Sequence, residues 1–274
     1  MPKSNSVKIS VIISTYNRPN ALLCVLRSLN DQSSLIFDVV IADDGSTRET
    51  EVMLAKFRNE SKFEMRHVWQ KDDGFRAATI RNKAVAKSKC DYLIFLDGDC
   101  AVFPDFISRH VQLAEKDYFV RGSRVMVSEA YTQEFIDTVQ APSSLKVLDL
   151  WGLWRSKKIK RIFPLVRLSI GWLRKLKKKK WYGVKTCNLG MWRKDFMVVN
   201  GFEEQYIGWG HEDADLAVRL INNHVYRKEG VNAVSVLHLW HSENDRSHLK
   251  DNEQRLKDRI QSNITRIPNG VSQY

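Results

Sequence analysis

Four clusters of residues in the 274-residue chain have the types and spacing that chemistry needs. Asp97-Gly98-Asp99 sets two carboxylates one residue apart. On an extended chain they face the same side, and hard oxygen donors of this kind suit Mg²⁺ or Mn²⁺. Gly98 between them lets a ligand approach the backbone. Asp43-Asp44, followed by Gly45-Ser46, offers carboxylates that can accept hydrogen bonds from a pyrimidine imide or ribose hydroxyls. Gly208-Trp209-Gly210-His211-Glu212-Asp213-Ala214-Asp215 places three acids after two glycines at a helix start. The helix dipole alone favours acids there. A carboxylate in that place can also take a proton from a hydroxyl nucleophile, and Trp209 offers a platform for a sugar ring. His238 and His241 flank Leu239-Trp240, and one imidazole could complete an aspartate-based metal site. In a regular strand positions three apart face opposite ways, so both reach one ion only if the chain bends between them.

These residues must be held by something, and the pattern of the first half says what. Residues 7–14, 37–42, 63–69 and 92–96 read as strands, rich in β-branched and apolar residues. Residues 19–29, 47–58 and 77–87 between them carry helical periodicity. This βαβαβαβ order predicts a mostly parallel, Rossmann-like sheet with helices on both faces. Ligands of such sheets bind beyond the carboxyl ends of the strands. Asp43-Asp44 and Asp97-Gly98-Asp99 fall at strand carboxyl ends, and Asp72-Asp73 lies just past a third. The second half is less regular. Residues 106–115 read as helix, 118–127 as one extended stretch, and 184–191 as a segment with turn-like Asn188 and Gly190. A helix over 212–222 and a strand over 233–239 lead into a charged, irregular tail. The lack of GxGxxG or GxxxxGK[ST] excludes an NAD fingerprint or a P-loop. A bound diphosphate would therefore depend on metal and on cations such as Arg76, Arg81 and Lys83.

The net charge of +12 is concentrated in one place. Thirteen Lys/Arg and no Asp or Glu lie between positions 155 and 185, so the rest of the chain is close to neutral. Within that run Ile159, Ile162, Phe163, Val166, Ile170 and Leu173 recur at helical spacing, though Pro164 should kink or divide a helix. A basic amphipathic helix in an insert over 128–183 implies contact with an anionic membrane surface. The four cysteines form no CxxC pair, so they are expected as free thiols in a reducing cytosol. No apolar run is long enough for a signal or a membrane span, which predicts a cytoplasmic protein lying against the inner face of the membrane. Nucleic acid is not the expected partner, because strand-end acids would repel phosphates. A nucleotidyltransferase is the main alternative enzyme, but residues 14–19 lack the glycine-rich phosphate loop it would normally carry.

Taken together, the motifs resemble inverting family 2 glycosyltransferases with the GT-A fold. Ser14-Thr15-Tyr16-Asn17-Arg18-Pro19, the Asp43-Asp44 turn and the Asp97-Gly98-Asp99 segment look like the nucleotide-sugar half, expected over residues 1–127. Residues 72–77 and Ile80-Arg81-Asn82 look like its central segment. Gly208 to Asp215, with Trp240-His241-Ser242 and the residues to Asp245, is similar to the acceptor half of β-1,4-galactosyltransferases and chondroitin-type polymerases, expected over residues 184–274. The resemblance implies transfer of a hexose or N-acetylhexosamine from a UDP-sugar to a hydroxyl of a lipid-linked glycan, in lipopolysaccharide or surface polysaccharide synthesis. It implies that Asp43 or Asp44 contacts uracil, with Thr15, Tyr16, Asn17, Arg18, Arg76, Arg81, Asn82 and Gly98 around the donor. Asp97 would contact ribose or metal-bound water, and Asp99 the ion, with His241 a better ligand than His238. Asp213 would be the base, and Glu212 and Trp209 would hold the acceptor. His211 stands where the galactosyltransferase block has glycine, and Ala214 where it has an acid.

Overall fold

The computed structural model describes residues 7–34, 36–138, 141–242 and 245–274. The first half alternates β1 (Ile9–Thr15), α1 (Pro19–Asn30), β2 (Asp38–Asp43), α2 (Arg48–Phe57), β3 (Glu64–Trp69), α3 (Ala77–Ala86) and β4 (Tyr92–Asp97). Each lies within a residue or two of the predicted span. Then come β5 (Cys100–Ala101), α4 (Phe106–Leu113), β6 (Tyr118–Arg121), β7 (Ser123–Met126), α5 (Glu129–Asp137) and α6 (Val147–Arg155). The chain closes with β8 (Asn188–Trp192), α7 (Arg193–Val198), α8 (Glu212–Asn222), β9 (Tyr226–Glu229), β10 (Ser235–His238) and α9 (Leu249–Gln261).

Seven strands form one sheet in the order β3-β2-β1-β4-β8-β6-β9. The first four are parallel, and β8 runs antiparallel to both β4 and β6. A small second sheet, β5-β10-β7, carries His238 at the end of β10, paired with Cys100 of β5. The sheet is buried on both faces because its strands are apolar at successive positions. Val11, Ile13, Ile94 and Leu96 point into one core with Leu22, Val25 and Leu26 of α1 and Leu54 of α2. Ile12, Leu93 and Phe95 point into the other, with Ala78 and Ile80 of α3 and Leu216 and Leu220 of α8. Phe95 packs against Phe196 and Phe202 at ring separations of 5.5 and 5.2 Å, which fixes the loop leading to α8 against the sheet.

Four expectations are corrected. The basic run forms no continuous amphipathic helix: only short 3-10 turns occur, over Phe163–Leu165 and Gly171–Lys175. Pro164 lacks the amide a longer helix would need, Gly171 takes φ +45°, and Ile159 is buried in a bridge to Val127. The segment containing Asn188 and Gly190 is a central strand rather than a turn. Asn188 donates its carboxamide to the Ser123 and Val234 carbonyls, at 3.0 and 2.7 Å. Gly190 is required by crowding, since a Cβ there would come within 2.5 Å of Tyr92 Oη and 2.6 Å of His110 Nδ1. Residues 118–127 split into two strands of different sheets, turning at Gly122, where Asn188 fills the space of a side chain. The predicted irregular tail contains α9, which packs against α8 through buried Leu256.

Candidate active site

The register of the sheet brings the acids together. Thr15 lies beside Asp43 and Ser14 beside Asp97, so the ends of β2, β1 and β4 form one rim. Just beyond it, Gly98 donates its N–H to the Ser14 carbonyl at 2.8 Å. A Cβ at Gly98 would meet Ser14 O and Thr15 Oγ1 at 3.1 Å, so the turn between the two aspartates is tight.

Asp99 is the meeting point of several groups. Arg18 Nη1 donates to its Oδ2 at 2.7 Å, and Arg18 Nη2 donates to the Trp240 carbonyl at 2.8 Å. His238 Nε2 lies 3.5 Å from Oδ1 and His241 Nε2 lies 3.7 Å from Oδ2. The chain does bend after β10: Leu239 N–H bonds the Asp99 carbonyl at 2.9 Å and Trp240 N–H bonds Thr132 Oγ1 at 2.8 Å. Both imidazoles therefore reach the same carboxylate. His241 Nδ1 donates to the Ser242 carbonyl at 2.6 Å, which turns Nε2 toward Asp99. His238 is neutral-leaning, its proton affinity lowered by burial against the opposing pull of Asp99, and its Nδ1 is buried without a partner. Imidazole nitrogens beside a carboxylate fit a divalent cation, and Asp99, Cys100 and His238 set donor atoms within 4.8 Å of one another. Glu243 and Asn244, which follow in the same motif, lie outside the described residues.

Arg81 joins this rim to the start of α8. It is 5% exposed, donating from Nη2 to Ser14 Oγ at 3.1 Å and Asp97 Oδ1 at 3.2 Å, and from Nη1 to Glu212 Oε1 at 3.0 Å. Ser14 Oγ also donates to Asp97 at 2.9 Å. Its guanidinium is thus engaged by protein carboxylates rather than open to solvent. Asn82, predicted near the donor, is fully buried and faces the other way, clasping both backbone groups of Phe202 and the Glu204 carboxylate.

The second carboxylate pair is also buried. Asp43 accepts from Ser46 N–H at 2.8 Å and contacts His67 Nε2 at 2.9 Å. Asp44 accepts from Gln70 at 2.6 Å and from the Arg76 N–H at 2.8 Å. Burial holds its proton affinity above the usual carboxylate range despite those bonds. Beside them Tyr16, half exposed, donates to Asp72 at 2.9 Å, while Asn17 accepts from Thr47 N–H at 2.8 Å. The Arg76 side chain is paired with Asp73.

Across the rim, the first turn of α8 presents the remaining predicted residues. His211 precedes it with φ +76°, a left-handed conformation that is costly for a residue with a side chain. Trp209, between two glycines of positive φ, stacks against the Arg246 guanidinium at 5.1 Å and near Lys185 at 5.8 Å. Asp213 is 5% exposed with Lys185 Nζ at 3.6 Å. Burial, then the neighbouring Glu212 charge, push its pKa up to about 6, against the opposing pull of Lys185 and Arg81. That is the range a base working near neutral pH needs. Sequence reasoning passed over Lys185, hidden at the end of the basic run, and Ser14 and Cys100, which only adjacency to the aspartates could have flagged.

The family model for glycosyl transferase family 2 matches residues 10–172, and that for the N-terminal domain of galactosyltransferase matches residues 171–241. The chain is 26% identical over 236 residues to the hyaluronan synthase of Pasteurella multocida, covering 80% of this chain and 23% of that protein. It is 27% identical to the chondroitin synthase of Escherichia coli, covering 80% and 33%. With the validoxylamine A glucosyltransferase of Streptomyces hygroscopicus the identity is 26%, covering 77% and 51%. The chain thus spans between a quarter and a half of these relatives' lengths. Among solved structures, a Pyrobaculum calidifontis mannosyltransferase in complex with GDP-Man and Mn²⁺ superposes at TM-score 0.60 and 14% identity, covering 88% of this chain and 59% of that one. S. aureus TarS 1–349 in complex with UDP-GlcNAc superposes at 0.62 and 15%, covering 92% and 66%. The likeness is one of fold, the GT-A arrangement.

The buried carboxylate has a consequence for stability. Between about pH 4 and 6 the folded state holds a proton on Asp213 that the unfolded chain has released, so its contribution falls as pH rises through that window. Above pH 6 the loss is complete. Asp213→Asn is therefore expected to be more stable than the unaltered protein by about 2–3 kcal/mol at pH 8, at about 1.4 kcal/mol per tenfold change in proton affinity, and nearly equal at pH 4. Urea denaturation at the two pH values checks this.

Proposed function

The chain belongs to glycosyl transferase family 2, and from that premise we propose that it moves a hexose or N-acetylhexosamine from a UDP-sugar to a glycan hydroxyl with inversion, in bacterial surface polysaccharide synthesis. The observation that carries the reading is Asp213, a buried carboxylate at the start of α8, linked through Glu212 and Arg81 to the strand-end aspartates. UDP-GlcNAc and GDP-Man with Mn²⁺ accompany neighbours of the same fold, which supports a nucleotide-sugar donor and a divalent ion here.

In this reading the nucleotide lies over β1, β2 and β4, with the base near Tyr16, Asp43 and Asp44 and the diphosphate toward Asp99. Trp209 and Glu212 hold the acceptor. A carboxylate oxygen of Asp213 accepts the proton of the acceptor hydroxyl as that oxygen bonds to the anomeric carbon. The bond from that carbon to the phosphate oxygen breaks with its electron pair, and UDP departs from the opposite face. One displacement of this kind inverts the anomeric centre. A divalent ion held by Asp99, His238 and His241 would neutralise charge on the leaving diphosphate. Arg18, already on Asp99, adds a second positive charge beside it.

The acceptor is a lipid-linked glycan presented at an anionic membrane surface. Support comes from α6, which buries none of its residues and displays Val147, Leu148, Trp151 and Trp154 beside the basic run. Among the described residues no helix is long and apolar enough to cross a membrane, so the contact would be peripheral.

Asp213→Asn is expected to lower the transfer rate about 10²–10⁴-fold while UDP affinity holds, and the unaltered enzyme's rate should rise with pH through about 6 and then level. Normal turnover by the purified variant removes the base assignment. Asp99→Ala should weaken UDP binding measured with Mn²⁺ titrated by at least about tenfold. Unchanged binding removes the metal site. In flotation, the protein should rise with anionic but not neutral vesicles, and Leu148→Glu/Trp151→Glu should sediment; equal flotation with both vesicle types contradicts the membrane contact.

A further inference from the structure

Resting on the transferase reading, we infer that the acceptor carries an anionic group, a carboxylate or a phosphate, received by a basic cavity next to Asp213. The cavity has a volume of about 480 Å³ and opens between β7, the loop after α6 and the segment before β8. Arg121, Arg124, Lys160, Arg161 and Lys185 line it, and among the described residues no Asp or Glu does. Glu229 answers Arg121 at 3.0 Å, and Asp213 lies 3.6 Å from Lys185. Arg124 makes only a 3.7 Å contact to Cys187 Sγ, and Lys160 and Arg161 have no acidic partner among the described residues.

Lys160 and Arg161 make no ion pair among the described residues, unlike other cations of the same run. Arg167 pairs with Asp105, Lys175 with Glu115, and Arg174 donates to three backbone carbonyls. Like charges collected in a concave wall raise its potential and repel one another, a cost relieved when an anion enters. Arginine forks match both carboxylate and phosphate oxygens. Trp154 and Phe163, 44% and 63% exposed, stand on the same wall as apolar faces for a sugar ring. Lys185 belongs both to the cavity and to the surroundings of Asp213, so an acceptor anchored there sets a hydroxyl beside the base.

The test is calorimetric binding to the full chain saturated with UDP and Mn²⁺. Methyl β-D-glucuronide and glucose 6-phosphate are compared with methyl β-D-glucoside. At least one anionic probe should bind about tenfold or more tightly than the neutral one, the worth of a pair of charge-assisted hydrogen bonds. Which probe gains tells carboxylate from phosphate. In Lys160→Gln/Arg161→Gln, both exposed positions, the advantage should fall to about twofold or less with UDP affinity unchanged. Equal binding of all three probes overturns the inference, as does an advantage that survives the double substitution. A matching loss of UDP affinity in the variant also overturns it, by assigning these cations to the donor diphosphate. If the unaltered chain does not bind UDP, the UDP-sugar reading on which this inference rests fails, and the inference with it.

Discussion

Arg81 carries a full positive charge where almost no water reaches, and the surrounding architecture is arranged to compensate it. Burial alone would weaken its hold on the proton, but Asp97 and Glu212 outweigh that and keep it charged. Those two carboxylates come from β4 and α8, elements far apart in sequence, while Arg81 itself sits on α3. A buried cation with two anionic partners is stable only when both are present, because removing either leaves an unpaired charge in a poor solvent. The guanidinium therefore fixes the distance between the strand-end rim and the first turn of α8. Phe202 lies under it at 5.7 Å, tying the same arginine to the aromatic cluster behind the sheet. The proton affinity of Asp213 reflects the same site: burial and then Glu212 beside it raise that affinity, and Lys185 and Arg81 restrain the rise.

The first half of the fold was legible because parallel strands buried on both faces need unbroken apolar runs, and helices between them need a repeating apolar stripe. Leu22, Val25, Leu26 and Leu29 fall on one face of α1 for that reason. The second half obeys constraints that local pattern does not express. Gly190 lies in a strand because Tyr92 and His110 occupy the space of its side chain, and Asn188 is there because it ties three elements together. In another context the same two residues make a turn. The amphipathic period through 159–173 was real in the sequence, yet Ile159 and Leu165 turn inward to a common core with Val125 and Val127. Phe163, Val166, Trp172 and Leu173 of that run stay exposed, and α6 adds Val147, Leu148, Trp151 and Trp154 to the exposed apolar surface.

The candidate site was legible to a different degree at each position. Aspartates at strand ends and acids at a helix start declare themselves through topology, so Asp43, Asp97, Asp99 and Asp213 could be found before any coordinates. The convergence of His238 and His241 on one carboxylate could not, since it depends on the chain leaving the sheet at Leu239. Nor could charge alone separate the run's cations. Arg174 is buried under backbone carbonyls and Arg161 is exposed in a cavity wall, although both read as members of one basic patch.

Asp213 is kept from water and flanked by like and unlike charge, so that it exchanges a proton near neutrality. Site-resolved ¹³C NMR of the Asp213 carboxyl carbon, followed from pH 3 to 9, tests this without reference to any acceptor. A titration midpoint close to 6 is the predicted result. A midpoint near 4, the ordinary value for an exposed aspartate, contradicts it and leaves α8 with acids that serve only its dipole.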